Sequence, residues 1–122
     1  MTGNTNAPKF HHYSTTEQVV GTWFGKPLYE KTFVVEQSTA QQVTSIDVTA
    51  LNVETMLSTT GACQLGSQAD NQWITAPMFE SGSFNVFINY LSGSNAIRIQ
   101  ASGWGVSNAY ITARYTKTTD TV

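Results

Sequence analysis

The sequence predicts an all-β fold, an antiparallel β-sandwich with a jelly-roll-like arrangement, from three observations. The chain of 122 residues is rich in uncharged polar residues, with 18 Thr, 11 Ser, 8 Asn and 8 Gln. Threonine favours strands, while serine and asparagine favour turns. Apolar and polar residues alternate with a period of two in residues 84–101, the clearest segment. Turn signals separate short candidate strands about every ten residues, as in sandwiches and jelly rolls, and no helices alternate with them.

The first part of the chain predicts a hairpin followed by a polar loop. Strands are expected over 19–24 and 28–36, joined by a turn at 25–27, because both segments are rich in β-branched and aromatic residues. Gly21 inside the first strand indicates a bulge or close packing. Residues 37–42 are uncharged and mostly polar, and are expected to form the loop.

The stretch 43–57 alternates, but the alternation slips in phase near Ala50. The slip indicates a bend or two short strands, and this is the interpretation that we favour. A short helix over 51–57 is the alternative, since several residues there have helical spacing.

Turns and short strands fill the second half of the chain. Turns are predicted at 59–61, 66–71, 80–83 and 102–105. Strands are predicted at 62–65, 73–79, 84–90, 96–101 and 107–117. Pro77 places its strand at a sheet edge or a strand end, because proline lacks the N–H that a ladder needs. In the last strand Tyr115 is expected to be buried and Lys117 solvated.

Length and charge limit the class of protein. A chain of this length forms one domain by default, and we expect a flexible lead-in or linker over 1–12 and a single sandwich domain over 13–122. The net charge is −2 and the six basic residues are scattered, which argues against nucleic-acid binding. No apolar run approaches the ~20 residues of a membrane-spanning helix and no signal-peptide pattern is visible, so no membrane insertion is expected.

No catalytic residue, metal ion or cofactor is expected. His11 and His12 are adjacent, so they point in opposite directions in an extended chain, and no cluster of further ligands accompanies them. The single cysteine, Cys63, cannot form an internal disulfide and is expected to be a small buried hydrophobe. The eight acidic residues show no recognisable pair of the kind that cleaves a polysaccharide. We therefore expect that the chain is not an enzyme.

Two segments resemble proteins of a known class. The first reads YSTTEQVVGTWFGKPLYEKTF over 13–33, and the second reads ARYTKTTD over 113–120. The first is similar to a segment that recurs in bacteriophage tail-fibre and minor structural proteins, of the form Tyr-Ser-Thr-x-Glu-x-Val-Val-Gly-x-Trp-x-(Asp)-Gly-Lys-Pro-x-Tyr-x-Lys-Thr. The second is similar to the Tyr-Thr-Lys-Thr ending of those proteins. One departure is that no Asp precedes Gly25, which predicts a turn one residue shorter. The middle of the chain carries no such resemblance.

The resemblance implies a virion role. The chain would be a terminal or near-terminal domain of a tail fibre, assembled in the host cytoplasm as a homotrimer beside other phage tail or virion proteins. Its expected function is host-cell attachment by binding a bacterial surface receptor, a glycan or a protein. The alternative is a purely structural module, such as a trimerisation domain, a cap or a capsid or tail decoration. A free-standing carbohydrate-binding module of an enzyme would lack the two segments.

Glycan sites combine aromatic faces with Asn, Asp and Gln, and two loops of this chain show aromatic residues in polar surroundings. They supply the candidate receptor-binding residues Asp70, Asn71, Trp73 and Trp104. Core packing is the favoured interpretation for both tryptophans, with Trp73 opening a core strand and Trp104 plugging an end of the sandwich. Trp23, beside the first hairpin turn, is interpreted as structural.

Overall fold

The structure, a computed structural model, describes residues 11–66 and 71–122, and these form nine strands and one short 3-10 helix. The strands are β1 (Gln18–Trp23), β2 (Lys26–Gln41), β3 (Val43–Asp47), β4 (Val53–Leu65), β5 (Trp73–Ala76), β6 (Met78–Ser81), β7 (Phe84–Leu91), β8 (Ala96–Ser102) and β9 (Val106–Lys117). The helix, Thr49–Leu51, lies between β3 and β4. Strands make up 69% of the structure and helix 3%, which confirms the all-β prediction.

The strands form two antiparallel sheets. The larger sheet has the order β1-β2-β9-β4-β5, and the smaller one has the order β3-β8-β7-β6. The pairings are nested along the chain, since β2 pairs with β9 in one sheet and β3 pairs with β8 in the other. Nested pairs that wrap into two facing sheets are the arrangement of a jelly roll, so the sandwich prediction is confirmed.

The first hairpin forms as predicted, but its turn lies elsewhere. The turn consists of Phe24 and Gly25, with φ of 48° and 82°, and Lys26 already belongs to β2. Positive φ at both central residues is what a two-residue type I′ hairpin turn requires. The turn predicted at 25–27 is therefore wrong. The register shifts just before Gly21, which confirms the bulge.

The polar loop predicted over 37–42 is also wrong, because β2 continues to Gln41. Gln41 pairs with Val106 at the start of β9. The amide of Gln37 donates to the hydroxyl of Thr44 and to the carbonyl of Val106, both at 3.1 Å. Polar residues continue the strand here because their side chains face water or find hydrogen-bond partners.

The alternation slips in phase near Ala50 because the 3-10 helix lies there. It separates β3 from β4, so the interpretation as two strands is confirmed and a helix over 51–57 does not form. The turn predicted at 59–61 is wrong, because β4 continues through Gly61. An ideal Cβ atom on Gly61 would lie 2.0 Å from the carbonyl oxygen of Tyr110. The glycine is present because β9 passes close by, not because the chain turns.

Pro77 divides the strand predicted over 73–79 into β5 and β6, which lie at the edges of different sheets. A proline at a strand end agrees with the prediction. The hairpin of β7 and β8 also forms as predicted, and its residues Ile97 and Ile99 are buried.

The strand β9 is the middle strand of the larger sheet, and its side chains alternate between the core and the outer face. The inward-facing side chains are fully buried: Ala109, Ile111, Ala113 and Tyr115. Tyr110 and Arg114 on the opposite face are exposed, and Thr112 between them is half-buried. Because β9 has a neighbour on each side, its outward-facing side chains lie in the middle of the outer face of the larger sheet.

One end of the sandwich holds a polar cluster of Glu17, Tyr29, Tyr115, Lys117 and Asp120. The rings of Tyr29 and Tyr115 stack with centroids 6.0 Å apart, and the Tyr115 hydroxyl donates to Glu17. Lys117 Nζ lies 2.6 Å from Glu17 Oε1, and the Tyr29 hydroxyl donates to Asp120 Oδ2 at 2.6 Å. The side chain of Lys117 is only 16% exposed, so the expectation of a solvated lysine is wrong. The cluster joins the segments 13–33 and 113–120.

Candidate functional site

The structure does not gather the predicted receptor-binding residues into one site. Asp70 lies outside the described residues. Asn71 is exposed with φ of 49°, and its carbonyl accepts a hydrogen bond from Gln64 Nε2 at 3.2 Å. Trp73 opens β5 and is 47% exposed, so it opens a strand as predicted but does not enter the core.

Trp104 lies in the loop between β8 and β9, away from the strand that Trp73 opens. It packs against the core, as predicted. Its ring is 5.0 Å from the ring of Phe84, and it contacts the hydrophobic core. Gly103 before it has φ of 80°, and an ideal Cβ there would lie 2.3 Å from the carbonyl of Ser83. The loop thus lies close against β7, and Trp104 packs on Phe84 and the core instead of forming part of a binding site.

Trp23 lies on the surface of the protein and not in its core. It is 43% exposed at the tip of the first hairpin, beside Phe24, which is 83% exposed. The two rings meet edge to face with centroids 5.2 Å apart. Trp23 therefore does not pack in the core, and its interpretation as a structural residue stays a prediction.

A groove of about 580 Å³ lies on the outer face of the larger sheet. We call it the outer groove. Its lining residues come from the N-terminal segment and from strands β2, β4, β5 and β9: Tyr13, Thr32, Ser58, Thr60, Gly61, Ala62, Thr75, Tyr110, Thr112 and Arg114. Its volume lies within the range of small-molecule sites, roughly 300–1,000 Å³.

Two tyrosines, Tyr13 and Tyr110, line the outer groove, and Trp73 lies next to Tyr110. Tyr110 is 51% exposed, and its ring stacks on that of Trp73, with centroids 6.0 Å apart and an angle of 21° between the planes. Tyr13 is 67% exposed and meets His11 edge to face at 4.5 Å. We call Trp73 and Tyr110 the aromatic platform. Its side chains keep an exposed apolar surface, which on a monomeric protein often marks a binding site.

Hydroxyl groups line the floor of the groove. Thr32 Oγ1 and Thr112 Oγ1 share one hydrogen bond of 2.9 Å, so one of the two hydroxyls keeps its proton for another acceptor. The hydroxyls of Thr60 and Thr75 have no hydrogen-bond partner within the described part of the chain. The floor therefore offers several donors and acceptors to a polyhydroxylated ligand.

A charged group forms the other end of the groove. Arg114 Nε donates to Glu30 Oε2 at 2.9 Å, and His11 Nε2 lies 2.6 Å from Glu30 Oε1. The Glu30 side chain is fully buried, whereas that of Arg114 is 44% exposed. The buried carboxylate thus holds the guanidinium from one side and leaves its other side to the groove.

A larger groove of about 740 Å³ lies between β4 and β7. Residues 54–59 and 88–92 line it, and Tyr90 is the only aromatic residue among those described there. Tyr90 is half-buried, with its hydroxyl directed at Asn95 Oδ1 at 3.3 Å. This groove has no exposed ring to stack on a ligand, so the outer groove is the better candidate.

The residues that could hold a metal ion and the single cysteine were both predicted to carry no chemistry. No group of three or more His, Cys, Asp and Glu residues lies there in a position to hold a metal ion. Cys63 is fully buried, as predicted, and burial raises the pKa of its thiol to about 11. The thiol is protonated at neutral pH and does not act as a nucleophile there. Among the same residues, no helix is long and apolar enough to span a bilayer.

Comparison of the chain with protein-family models, with curated proteins and with solved structures gives no match. The candidate site therefore rests on geometry. Sequence reasoning found Trp73 but missed Tyr110, Arg114 and the threonine floor. A usable signal was present in β9, where Tyr110, Thr112 and Arg114 alternate with the buried residues and so share the outer face.

Proposed function

We propose that this chain is a receptor-binding domain of a bacteriophage tail fibre and attaches to the host by binding a surface glycan in the outer groove. The phage assignment is supported by the resemblance of segments 13–33 and 113–120 to tail-fibre proteins. The glycan assignment is supported by one observation, the aromatic platform beside a floor of hydroxyl groups.

The chemistry of sugars fits this arrangement. A pyranose ring has an apolar C–H face, which packs on an aromatic face, and a rim of hydroxyls that both donate and accept hydrogen bonds. Tyr110 and Trp73 supply the aromatic surface. Thr60, Thr75 and Thr112 supply hydroxyls within the same groove. A few polar groups that fix orientation beside an apolar surface are the usual composition of a small-molecule site.

Substitution of the two platform residues tests whether the glycan binds in the outer groove. Purified protein is applied to an array of bacterial surface glycans and to whole cells, and positive ligands are measured by calorimetry. Trp73→Ala and Tyr110→Ala are expected to weaken binding at least about tenfold, because each removes one ring of the platform. Trp23→Ala is the matched control, since it removes a similarly exposed tryptophan that neither lines the groove nor stacks on a residue that does. Circular dichroism verifies the fold of each variant.

Two results would overturn the proposal. Binding that survives both platform substitutions would place the receptor site elsewhere. Absence of binding to every glycan and to cells would leave the structural role as the better account.

The structural alternative is favoured by a specific observation on the smaller sheet. Phe79 and Phe87 are 66% and 38% exposed there, with ring centroids 6.5 Å apart. Exposed aromatic pairs are typical of surfaces that associate with protein. Light scattering measures the mass of the unaltered chain and of the double variant Phe79→Ser/Phe87→Ser. A trimer that becomes a monomer in the variant, together with no glycan binding, would favour a trimerisation module. A monomeric mass for the unaltered chain would count against the trimer.

A further inference from the structure

We infer that the outer groove selects an acidic glycan and that Arg114 binds the carboxylate of one sugar unit. This inference rests on the proposed function and deepens it, because it names the class of glycan. It is carried by the position and the hydrogen bonding of the Arg114 guanidinium.

Arg114 is the only charged residue among the described residues that line the groove. The nearby carboxylate of Glu30 is fully buried and lies against Arg114 and His11. No acidic side chain therefore faces the ligand from the described lining, and the exposed charge is positive. An anionic group on the ligand would be attracted to this end of the groove, whereas a neutral sugar would gain hydrogen bonds but no attraction between full charges.

The guanidinium is held in one orientation. Glu30 accepts from Nε, which leaves the two terminal nitrogens of Arg114 without a hydrogen-bond partner in the described part of the chain. These two nitrogens form a planar fork that matches the two oxygens of a carboxylate. Because Glu30 is immobilised by burial, the fork is pre-organised and little rotamer freedom is lost on binding.

The spacing along β9 sets the size of the ligand. Arg114 and Tyr110 face the groove four residues apart on one strand, which corresponds to roughly 13 Å at a rise of about 3.3 Å per residue. Thr112 lies between them with its hydroxyl on the floor. This backbone spacing is wider than one sugar ring, so we expect an oligosaccharide with its acidic unit on Arg114 and a neighbouring unit on the aromatic platform.

The test compares matched ligands on the intact chain. Acidic oligosaccharides that contain uronic or sialic acid are paired with the same molecules after reduction of the carboxylate to an alcohol. Sulfated neutral oligosaccharides form a third arm, because a sulfate also binds arginine. The expected result is roughly tenfold tighter binding of a carboxylated ligand than of its reduced form, since a charge-assisted bidentate contact is lost on reduction.

Substitutions test whether the preference for the carboxylated ligand depends on the two terminal nitrogens of Arg114. Arg114→Gln is expected to bind both forms equally, at the affinity of the reduced form for the unaltered protein. Arg114→Lys keeps the charge but loses the planar fork, and is expected to keep only part of the preference. Glu30→Gln tests the positioning role and is expected to lower the preference while retaining platform binding. Arg98→Gln on the smaller sheet is the matched control and should change nothing.

The outcomes separate this inference from the proposed function. Equal binding of carboxylated and reduced ligands, abolished by Tyr110→Ala, would overturn the acidic-glycan inference and leave the proposed function standing. Binding of sulfated ligands without carboxylated ones would overturn the carboxylate assignment. If the protein binds none of the carboxylated, reduced and sulfated ligands, both the acidic-glycan inference and the proposed glycan-binding function are overturned. If Arg114→Gln fails to fold, the comparison of the matched ligands on the unaltered protein and on Arg114→Lys still decides.

Discussion

Gly61 and Tyr110 are in closer backbone contact than a side chain at position 61 would allow. An ideal Cβ atom on Gly61 would lie 2.0 Å from the carbonyl oxygen of Tyr110 and 2.9 Å from Cα of Ile111. Both of these atoms belong to the backbone of β9, the middle strand, so neither can swing aside as a flexible side chain would. Gly61 also contributes to the lining of the outer groove.

Gly61→Ala is therefore expected to destabilise the protein by about 3 kcal/mol, because β4 and β9 must separate to admit the methyl group. Urea unfolding followed by tryptophan fluorescence measures the change. Gly82→Ala and Gly93→Ala are the controls, since a Cβ at either position would meet nothing within 4 Å. They should stay within about 0.5 kcal/mol of the unaltered protein. Equal stability of Gly61→Ala would show that the two strands are not so tightly packed.

The same glycine shows what the sequence could predict. Alternation over 84–101 and in the last strand predicted the hairpin of β7 and β8 and the buried face of β9, because both patterns reflect a strand with one face in the core. Gly61 was interpreted as part of a turn. A glycine that serves a turn and one that admits a neighbouring strand look the same until the neighbour is known.

The candidate site was harder to predict than the fold for a related reason. Trp73 was found because an aromatic residue in a polar loop is visible in the sequence. Its partner Tyr110 lies in another strand, and the two come together only through the pairing of β4 with both β5 and β9. Arg114 and Glu30 are likewise neighbours through the pairing of β2 with β9. Contacts of this kind depend on strand order, which alternation does not reveal.

Glu30→Gln is expected to lower the free energy of unfolding by about 1–3 kcal/mol. The buried carboxylate accepts from Arg114 and lies against His11, and a neutral amide weakens both contacts. The loss stays modest because the Arg114 side chain is 44% exposed and water takes part in solvating it. Glu36→Gln on the same strand is the control, because Glu36 is exposed. Equal effects of the two substitutions in urea unfolding would contradict the assignment.

Cys63 should resist thiol reagents in the native protein. Its side chain is fully buried, and burial raises the pKa of the thiol to about 11, so little thiolate exists at pH 8 and none is accessible. A chromogenic disulfide reagent at pH 8 is expected to label the native chain slowly and the denaturant-unfolded chain at once. Gly61→Ala should label faster than the unaltered chain, because β4 opens more easily. Rapid labelling of the native chain would show that the core around Cys63 is open.

The polar cluster at the end of the sandwich predicts a loss of stability at alkaline pH. Tyr115 is fully buried and donates to Glu17, and burial first, then this hydrogen bond and the nearby charges, raise the pKa of Tyr115 above its ordinary value of 10.0. The folded chain keeps the phenol proton at a pH where the unfolded chain releases it. The stability that the neutral phenol contributes is therefore complete below about pH 10 and is lost as the pH rises from there towards the folded pKa, at up to about 1.4 kcal/mol per pH unit.

Tyr115→Phe separates this contribution from the titration of other groups. At pH 7 the variant is expected to be about 1–3 kcal/mol less stable, because Glu17 loses a donor, although Lys117 still pairs with that carboxylate. Above pH 10 the gap should narrow, since the phenylalanine has no proton to lose and the stability of the variant falls less steeply. Urea unfolding at a series of pH values from 7 to about 11 measures both curves, with the exposed Tyr110→Phe as control. A gap that stays constant across this range would show that the Tyr115 phenol does not titrate differently in the folded and unfolded chains.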